Sequence, residues 1–260
     1  MLKCERAFIN NEKERRKSVD GNGLIEMHAH ILPEMDDGSK SVEMSLKMLQ
    51  ALAEMEVMAV CATSHYYAWQ NSITTFLERR SAALEKLRSA IPDGSRLPRI
   101  LPAAETAYFR GMEEHHPERL CVEGTRTLML EMPFSEWTDE QVETVAALTL
   151  DMRFDVVLVH PERFCFSRGN RRKLEELAKL PLAMQVNVDT LLHWRTRREG
   201  LELLELTTMP LLGSDCHDMT KRPPNLKGGR EMVLRRLGAD FLAQMDENAY
   251  ILLAPALRTA

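Results

Sequence analysis

From Leu24 onward, short apolar runs alternate with longer stretches whose apolar positions recur every three or four residues. The short runs read as buried strands, the longer ones as amphipathic helices. The first strand runs from Leu24 into His28-Ala29-His30. Further strands are predicted over residues 57–62, 99–103, 127–130, 156–159, 182–188 and 209–213. Helices are predicted over 39–56, 72–90, 136–152, 170–180, 199–206 and 226–237, with a last apolar-rich segment at 240–253. Val42, Leu46, Leu49 and Leu52 mark the buried stripe of the first helix, and Ser39 or Ser41 can cap it. Residues 110–120 read as helical or irregular.

About seven strand–helix alternations indicate a parallel β/α architecture. No Gly-x-Gly-x-x-Gly or Walker-type loop comes after the first strand, so nothing points to a nucleotide-binding open sheet. The residues that close the strands point to a barrel. His28 and His30, His65, Glu105, Glu131, His160, and Asp215 with His217 all fall at predicted strand ends. In β/α barrels that rim carries the chemistry. Side chains alternate along a strand, so His28 and His30 share one face while Ala29 and Ile31 take the other. Imidazoles mixed with carboxylates suit Mn²⁺, Fe²⁺ or Zn²⁺ better than Mg²⁺ or Ca²⁺. The donors outnumber the needs of one ion, so two or three ions with a bridging carboxylate are expected.

Composition narrows the classes. Hydrophobic residues at 44% and charged residues at 28% fit an ordinary globular chain. A net charge of -5 gives no reason to expect nucleic acid or an anionic membrane. The polar N-terminus has no apolar signal core, and no run is long enough to cross a bilayer. A cytoplasmic protein without membrane insertion is expected. Five cysteines without tight spacing make no disulfide framework. Residues 1–22 read as a polar, flexible extension and 23–260 as one domain.

The segments Glu26-Met27-His28-Ala29-His30-Ile31-Leu32-Pro33, Asp36-Asp37-Gly38, Ala62-Thr63-Ser64-His65-Tyr66, Pro102-Ala103-Ala104-Glu105, Leu130-Glu131-Met132-Pro133, His160-Pro161-Glu162-Arg163-Phe164, Gln185-Val186-Asn187, Ser214-Asp215-Cys216-His217 and Arg222-Pro223-Pro224 stand in one order. In that order the chain resembles the polymerase-and-histidinol-phosphatase (PHP) superfamily, within it the bacterial manganese-dependent tyrosine phosphatase branch (CpsB/YwqE-like). Glu26 stands where that branch usually has Asp, and Ala29 where it has Cys or Ser. The resemblance implies a distorted (β/α)7, TIM-like barrel with a trinuclear metal centre, Mn²⁺ by preference and Fe or Zn as alternatives. It implies His28, His30, Asp37, His65, Glu105, Glu131, His160, Asp215 and His217 as ligands. Arg163 and Arg222 fall where the family binds substrate phosphate, and with Asp215 and His217 they form the implied catalytic set. The implied reaction is hydrolysis of phosphotyrosine in a protein, with the tail of a bacterial tyrosine autokinase controlling capsule or exopolysaccharide synthesis as partner. An oligomer stays open. Another PHP phosphoesterase, such as a histidinol phosphatase, is the runner-up. A metal-dependent amidohydrolase ranks lower, because it prefers Lys or His where this chain has Glu105 and Glu131.

Two patterns compete with that reading. Cys165 to Arg171 and Cys216 to Arg222 both fit Cys-x5-Arg, the loop of cysteine-dependent tyrosine phosphatases. Neither is a Gly-containing turn leading from a strand into a helix N-terminus, which such a thiolate needs. His116-Pro117-Glu118-Arg119 repeats His160-Pro161-Glu162-Arg163 residue for residue, but only His160 comes directly after an apolar run. His116 and His193 therefore read as peripheral. Tyr66, Tyr67, Trp69, Phe164 and Phe166 are candidates to stack on a phenyl ring, with burial in the core as the alternative.

Overall fold

A computed structural model of the chain describes residues 23–165 and 167–258. Seven parallel strands lie side by side in sequence order. They are β1 (Leu24–Ala29), β2 (Val57–Tyr66), β3 (Arg99–Ala107), β4 (Thr127–Glu131), β5 (Asp155–Val159), β6 (Ala183–Asn187) and β7 (Met209–Gly213). Between them run α1 (Val42–Glu54), α2 (Ile73–Arg88), α3 (Asp139–Leu150), α4 (Arg168–Leu177), α5 (Val188–Leu192) and α6 (Arg197–Leu206). After β7 come α7 (Leu226–Arg236) and α8 (Ala239–Leu257). The last strand curls back to the first: Asp215 N donates to His28 O and His30 N to Cys216 O, both at 2.8 Å. The sheet is a nearly closed barrel, as the strand-end pattern implies. The extension over residues 1–22, including Cys4, lies outside the described residues.

Strands buried on both faces must be apolar on both, and the core is accordingly double. Met27, Ala59, Cys61, Ala103, Met129, Val157 and Leu211 pack together in one cluster. A larger cluster, with Leu49, Leu52, Leu87, Val145, Leu174 and Leu203, joins the helices to the other strand faces. Helix α8 adds Leu252, Leu253 and Ala256 to the first cluster. It is tied to strand starts, with Thr127 Oγ1 donating to Leu252 O (2.9 Å) and the helix's own Asn248 Nδ2 donating to Pro210 O (3.2 Å). The helix therefore closes the N-terminal mouth and leaves the C-terminal rim for chemistry.

Local signals set the helix starts. Ser41, not Ser39, caps α1 through Met44 N, and Thr138 with Gln141 forms a capping box on α3. The structure corrects three readings of element ends. β2 and β3 run past the predicted residues 62 and 103, because their ladder continues in unbroken register to Tyr66 and Thr106 and pairs His65 with Glu105. Polar rim residues keep pairing where apolar periodicity has stopped. β6 ends at Asn187 rather than 188, and Val188–Leu192 folds as α5, with Asp189 in its first turn. Residues 112–114 and 117–120 form two short 3₁₀ turns.

β1 carries a bulge. Glu26 pairs with Val60 and Ala29 with Ala62, so β1 uses one more residue than β2 between the two pairs. The extra residue resets the alternation, so Met27 joins the apolar cluster while His28, next to it, joins the polar rim. His28 N then donates to Glu26 Oε1 at 3.0 Å, and Ser214 N to the same oxygen at 2.9 Å. Glu26 thus ties β1 to the segment after β7.

Candidate metal centre

All nine sequence-predicted ligands converge at the C-terminal rim. Three groups have donor atoms within 4.8 Å of one another: His30, Asp37, His65 and His217; His28, His30 and Asp215; and His65, Glu105 and Glu131. Glu105 joins them. Its Oε2 lies 3.3 Å from His28 Nε2, 3.2 Å from His30 Nε2 and 2.9 Å from His65 Nδ1, yet it makes a hydrogen bond with none of them. Its Oε1 lies 2.6 Å from His160 Nε2, with Glu131 Oε1 3.5 Å from the same nitrogen. Asp215 Oδ1 is 3.5 Å from His28 Nε2 and 3.3 Å from His30 Nε2. Asp37 Oδ1 stands 3.3 Å from both His65 Nε2 and His217 Nε2. A buried carboxylate oxygen ringed by imidazole nitrogens without a hydrogen bond is what a shared cation would satisfy. The donor set, imidazole with carboxylate, fits the same cations.

Residues outside that ligand set hold it in place, and their roles were not legible in the sequence. Asp36 Oδ2 lies 3.0 Å from His30 Nδ1 and accepts His65 N at 2.9 Å. Of the two adjacent aspartates, Asp36 orients and Asp37 faces the cluster. Gly38 lets the loop return, since a Cβ there would sit 2.4 Å from His30 Cβ. Gln185 Oε1 is 2.7 Å from His28 Nδ1, and Gln185 Nε2 donates to Asn187 Oδ1 at 2.9 Å. Asn187 Nδ2 in turn donates to Asp215 Oδ2 at 2.9 Å. Half-buried Glu162 accepts from Asn187 N at 2.9 Å and Thr190 Oγ1 at 3.1 Å. Two polar residues spaced by two in the apolar strand β6 were the available signal for Gln185 and Asn187. Both predicted arginines reach Asp215 Oδ2, Arg163 Nη2 at 2.5 Å and Arg222 Nη2 at 2.7 Å.

Electrostatics fits a site that takes up positive charge. Burial works against a proton on His28 and His30, yet the carboxylates around them, Glu105 and Asp215 for His28 and Asp36 for His30, raise both. Burial likewise opposes protonation of His65, which Asp37 and Glu105 lift to about 9. Burial would raise Glu105 and Asp215, but the imidazoles hold both well below the usual carboxylate range. Glu131 goes up to about 7, through burial and then the charge of Glu105. His217 goes down to about 4, because burial and His30 outweigh Asp215. His160 and Asp215, both at the rim, have φ of 34° and 52°, a left-handed backbone that is uncommon for residues with a side chain.

The competing patterns separate clearly. Burial pushes the Cys165 thiol up to about 11, and Cys216 is buried and also raised. Neither is a ready thiolate. His116 is exposed and pairs with Glu118 at 3.0 Å, and His193 is also exposed. Among the aromatic candidates, Tyr66 and Phe164 are core residues, Tyr67 and Trp69 are on the rim, and Phe166 lies outside the described residues.

Residues 24–253 match the family described as "Capsular polysaccharide synthesis, CpsB/CapC". The chain is 25% identical over 240 residues to tyrosine-protein phosphatase YwqE of Bacillus subtilis, covering 88% of this chain and 91% of that one. It is 23% identical over 242 residues to tyrosine-protein phosphatase CpsB of Streptococcus agalactiae, covering 88% and 98%. Its fold matches a chain from the crystal structures of B. subtilis YwqE and Streptococcus pneumoniae CpsB, described as unique metal-dependent tyrosine phosphatases. The TM-score is 0.76 at 23% identity, over 89% of this chain and 95% of that one.

Proposed function

The chain belongs to the CpsB/CapC family of capsular polysaccharide synthesis proteins, and from that premise we propose that it is a metal-dependent protein-tyrosine phosphatase. The observation that carries this reading is Glu105 Oε2, within 3.3 Å of three imidazole nitrogens and hydrogen-bonded to none. The residues that would hold the ions are His28, His30, Asp37, His65, Glu105, Glu131, His160, Asp215 and His217. Two to three ions, Mn²⁺ by preference, match their number and kind. Divalent ions in such a centre supply Lewis acidity, neutralising phosphoryl oxygens and making water a nucleophile at neutral pH.

The chain's own groups do the rest. Arg163 and Arg222 present planar forks that match phosphate oxygens, and their grip on Asp215 holds them at the ligands until phosphate competes for them. Asp36, Gln185 and Asn187 fix the imidazoles and Asp215, so the polar groups are organised before substrate arrives. A tyrosine leaving group, with a pKa of about 10, departs with less protonation than an alkoxide. Asp215, His217 or water at the centre would assist its departure. The substrate we assign is the phosphotyrosine tail of a bacterial tyrosine autokinase serving capsule or exopolysaccharide synthesis, in the cytoplasm. No described helix is long and apolar enough to cross a membrane.

The test is turnover of a phosphotyrosine peptide, histidinol phosphate and a thymidine nucleotide ester, each with EDTA and with added Mn²⁺. Preferred, EDTA-sensitive turnover of the peptide is expected. Preference for histidinol phosphate would move the protein to another phosphoesterase class, and insensitivity to EDTA would overturn the metal mechanism.

A further inference from the structure

Three exposed tryptophan or phenylalanine side chains stand out among the described residues: Trp69, 68% exposed, Phe134, 61%, and Trp194, 72%. Each lies in a segment just after a strand, β2, β4 and β6 respectively, and therefore on the same rim as the metal centre. The exposed apolar residues elsewhere, Met58, Leu150, Leu234 and Ile251, are aliphatic. Isolated exposed apolar side chains need no explanation, but large rings gathered at the mouth of a site do.

Two of the three are joined to the centre through rings. From His65, Tyr67 stacks at 5.2 Å with 22° between planes, and Trp69 lies 4.8 Å beyond Tyr67. From His160, Phe164 lies at 5.6 Å and Phe134 5.1 Å beyond Phe164. Each series starts on a candidate ligand imidazole and ends on a ring in solvent. The first series follows β2; the second starts after β5 and ends on Phe134 after β4, so Trp69 and Phe134 stand on the two strands that flank β3, which carries Glu105. Phosphate bound at the metal cluster by Arg163 and Arg222 would thus sit at the inner ends of the two series. The bare indole and phenyl faces lie farther out, where the peptide on either side of a phosphotyrosine must pass. Trp194 stacks with Arg195 and makes no ring contact with the centre.

We infer that Trp69 and Phe134 are specificity-determining residues that hold apolar side chains flanking the phosphotyrosine of a polypeptide substrate. The inference rests on the phosphatase reading and narrows its substrate class to phosphotyrosine in an accessible segment with bulky apolar neighbours. Aromatic anchors suit this work because they offer large area at little conformational cost.

The experiment uses the full-length, metal-loaded enzyme and its Trp69→Ala, Phe134→Ala and double variants, with Leu150→Ala as an exposed control distant from the rim. Substrates are para-nitrophenyl phosphate and two phosphotyrosine peptides, one flanked by leucines and one by glycine and serine. Each rim variant is expected to raise KM for the leucine-flanked peptide about tenfold, with kcat within about twofold. KM for para-nitrophenyl phosphate should move far less, and wild type should prefer the leucine-flanked peptide. Unchanged peptide KM in the double variant would overturn the inference while leaving the phosphatase reading intact. Equal losses on all three substrates, or a fall in kcat alone, would also overturn it. Failure of wild type to hydrolyse any aryl phosphate would overturn the phosphatase reading, and the inference with it.

Discussion

Glu105 Oε2 and the imidazoles of His28, His30 and His65 are close enough to share a cation, and hydrogen bonding alone does not account for their arrangement. Glu105→Gln keeps the shape and removes the charge. It should lower bound metal, read by elemental analysis, and cut kcat by about a thousandfold or more, with circular dichroism unchanged. His116→Ala, the exposed histidine of the repeated tetrapeptide, should leave both within about twofold. The same scale disposes of the thiolate route. A thiol pKa raised to about 11 means that the neutral form dominates below that pH, so at pH 8 only about one Cys165 in a thousand is ionised. Alkylation by iodoacetamide, tracked by mass spectrometry, should be slow at pH 8 and quicken as the pH rises toward 11. Cys165→Ser should keep most turnover. Eight of the nine candidate ligands were legible because each stands at or just past the end of an apolar run; Asp37, in the loop after β1, came only from the resemblance. Asp36 was not legible, because nothing in Asp36-Asp37 says which carboxylate turns toward His30.

At the scale of elements, the β1 bulge and Glu26 act together. The bulge frees His28 N from the ladder, and Glu26 Oε1 takes it together with Ser214 N. Glu26→Ala leaves two buried N–H groups without an acceptor at the barrel seam. The expected cost is about 2–5 kcal/mol in urea unfolding, with weaker metal retention because His28 loses its anchor. Glu26→Gln keeps an acceptor oxygen and should recover most of both. Periodicity found each strand and the long helices but misplaced several ends. It halted β2 and β3 where apolar residues stop, although the ladder carries His65 and Glu105 onward as partners. It passed over α5, too short at Val188–Leu192 for a helical stripe to show.

Across the whole molecule, stability and chemistry occupy opposite ends of the barrel. Leu253 of α8 is fully buried at the closed end. Leu253→Ala should cost about 2–5 kcal/mol in urea unfolding while leaving kcat of the folded enzyme unchanged. The open end behaves in the reverse way. It gathers imidazoles and carboxylates that a bound cation would tie together, so EDTA treatment should lower the thermal midpoint, and readded Mn²⁺ should restore it in a concentration-dependent manner. An unchanged midpoint would mean that the cluster holds no ion with useful affinity.

The two copies of His-Pro-Glu-Arg separate what the chain determines locally from what only the folded molecule decides. Both histidines adopt a left-handed backbone, φ 55° at His116 and 34° at His160, and both precede a 3₁₀ turn with proline at its start. The same four residues give the same local turn in both places, and the fixed φ of proline at its start acts within that turn. Local sequence also determines the alternation of strand and helix and the polar residues that close each strand. Which histidine joins the buried cluster is decided elsewhere. His160 ends β5, is fully buried, and meets Glu105 from β3 at 2.6 Å, whereas His116 lies in an exposed connection and pairs with its neighbour Glu118. A metal centre needs donors from distant parts of the chain within a few ångströms of one another. Strand order, bulge and barrel closure supply that proximity, and no single segment encodes it.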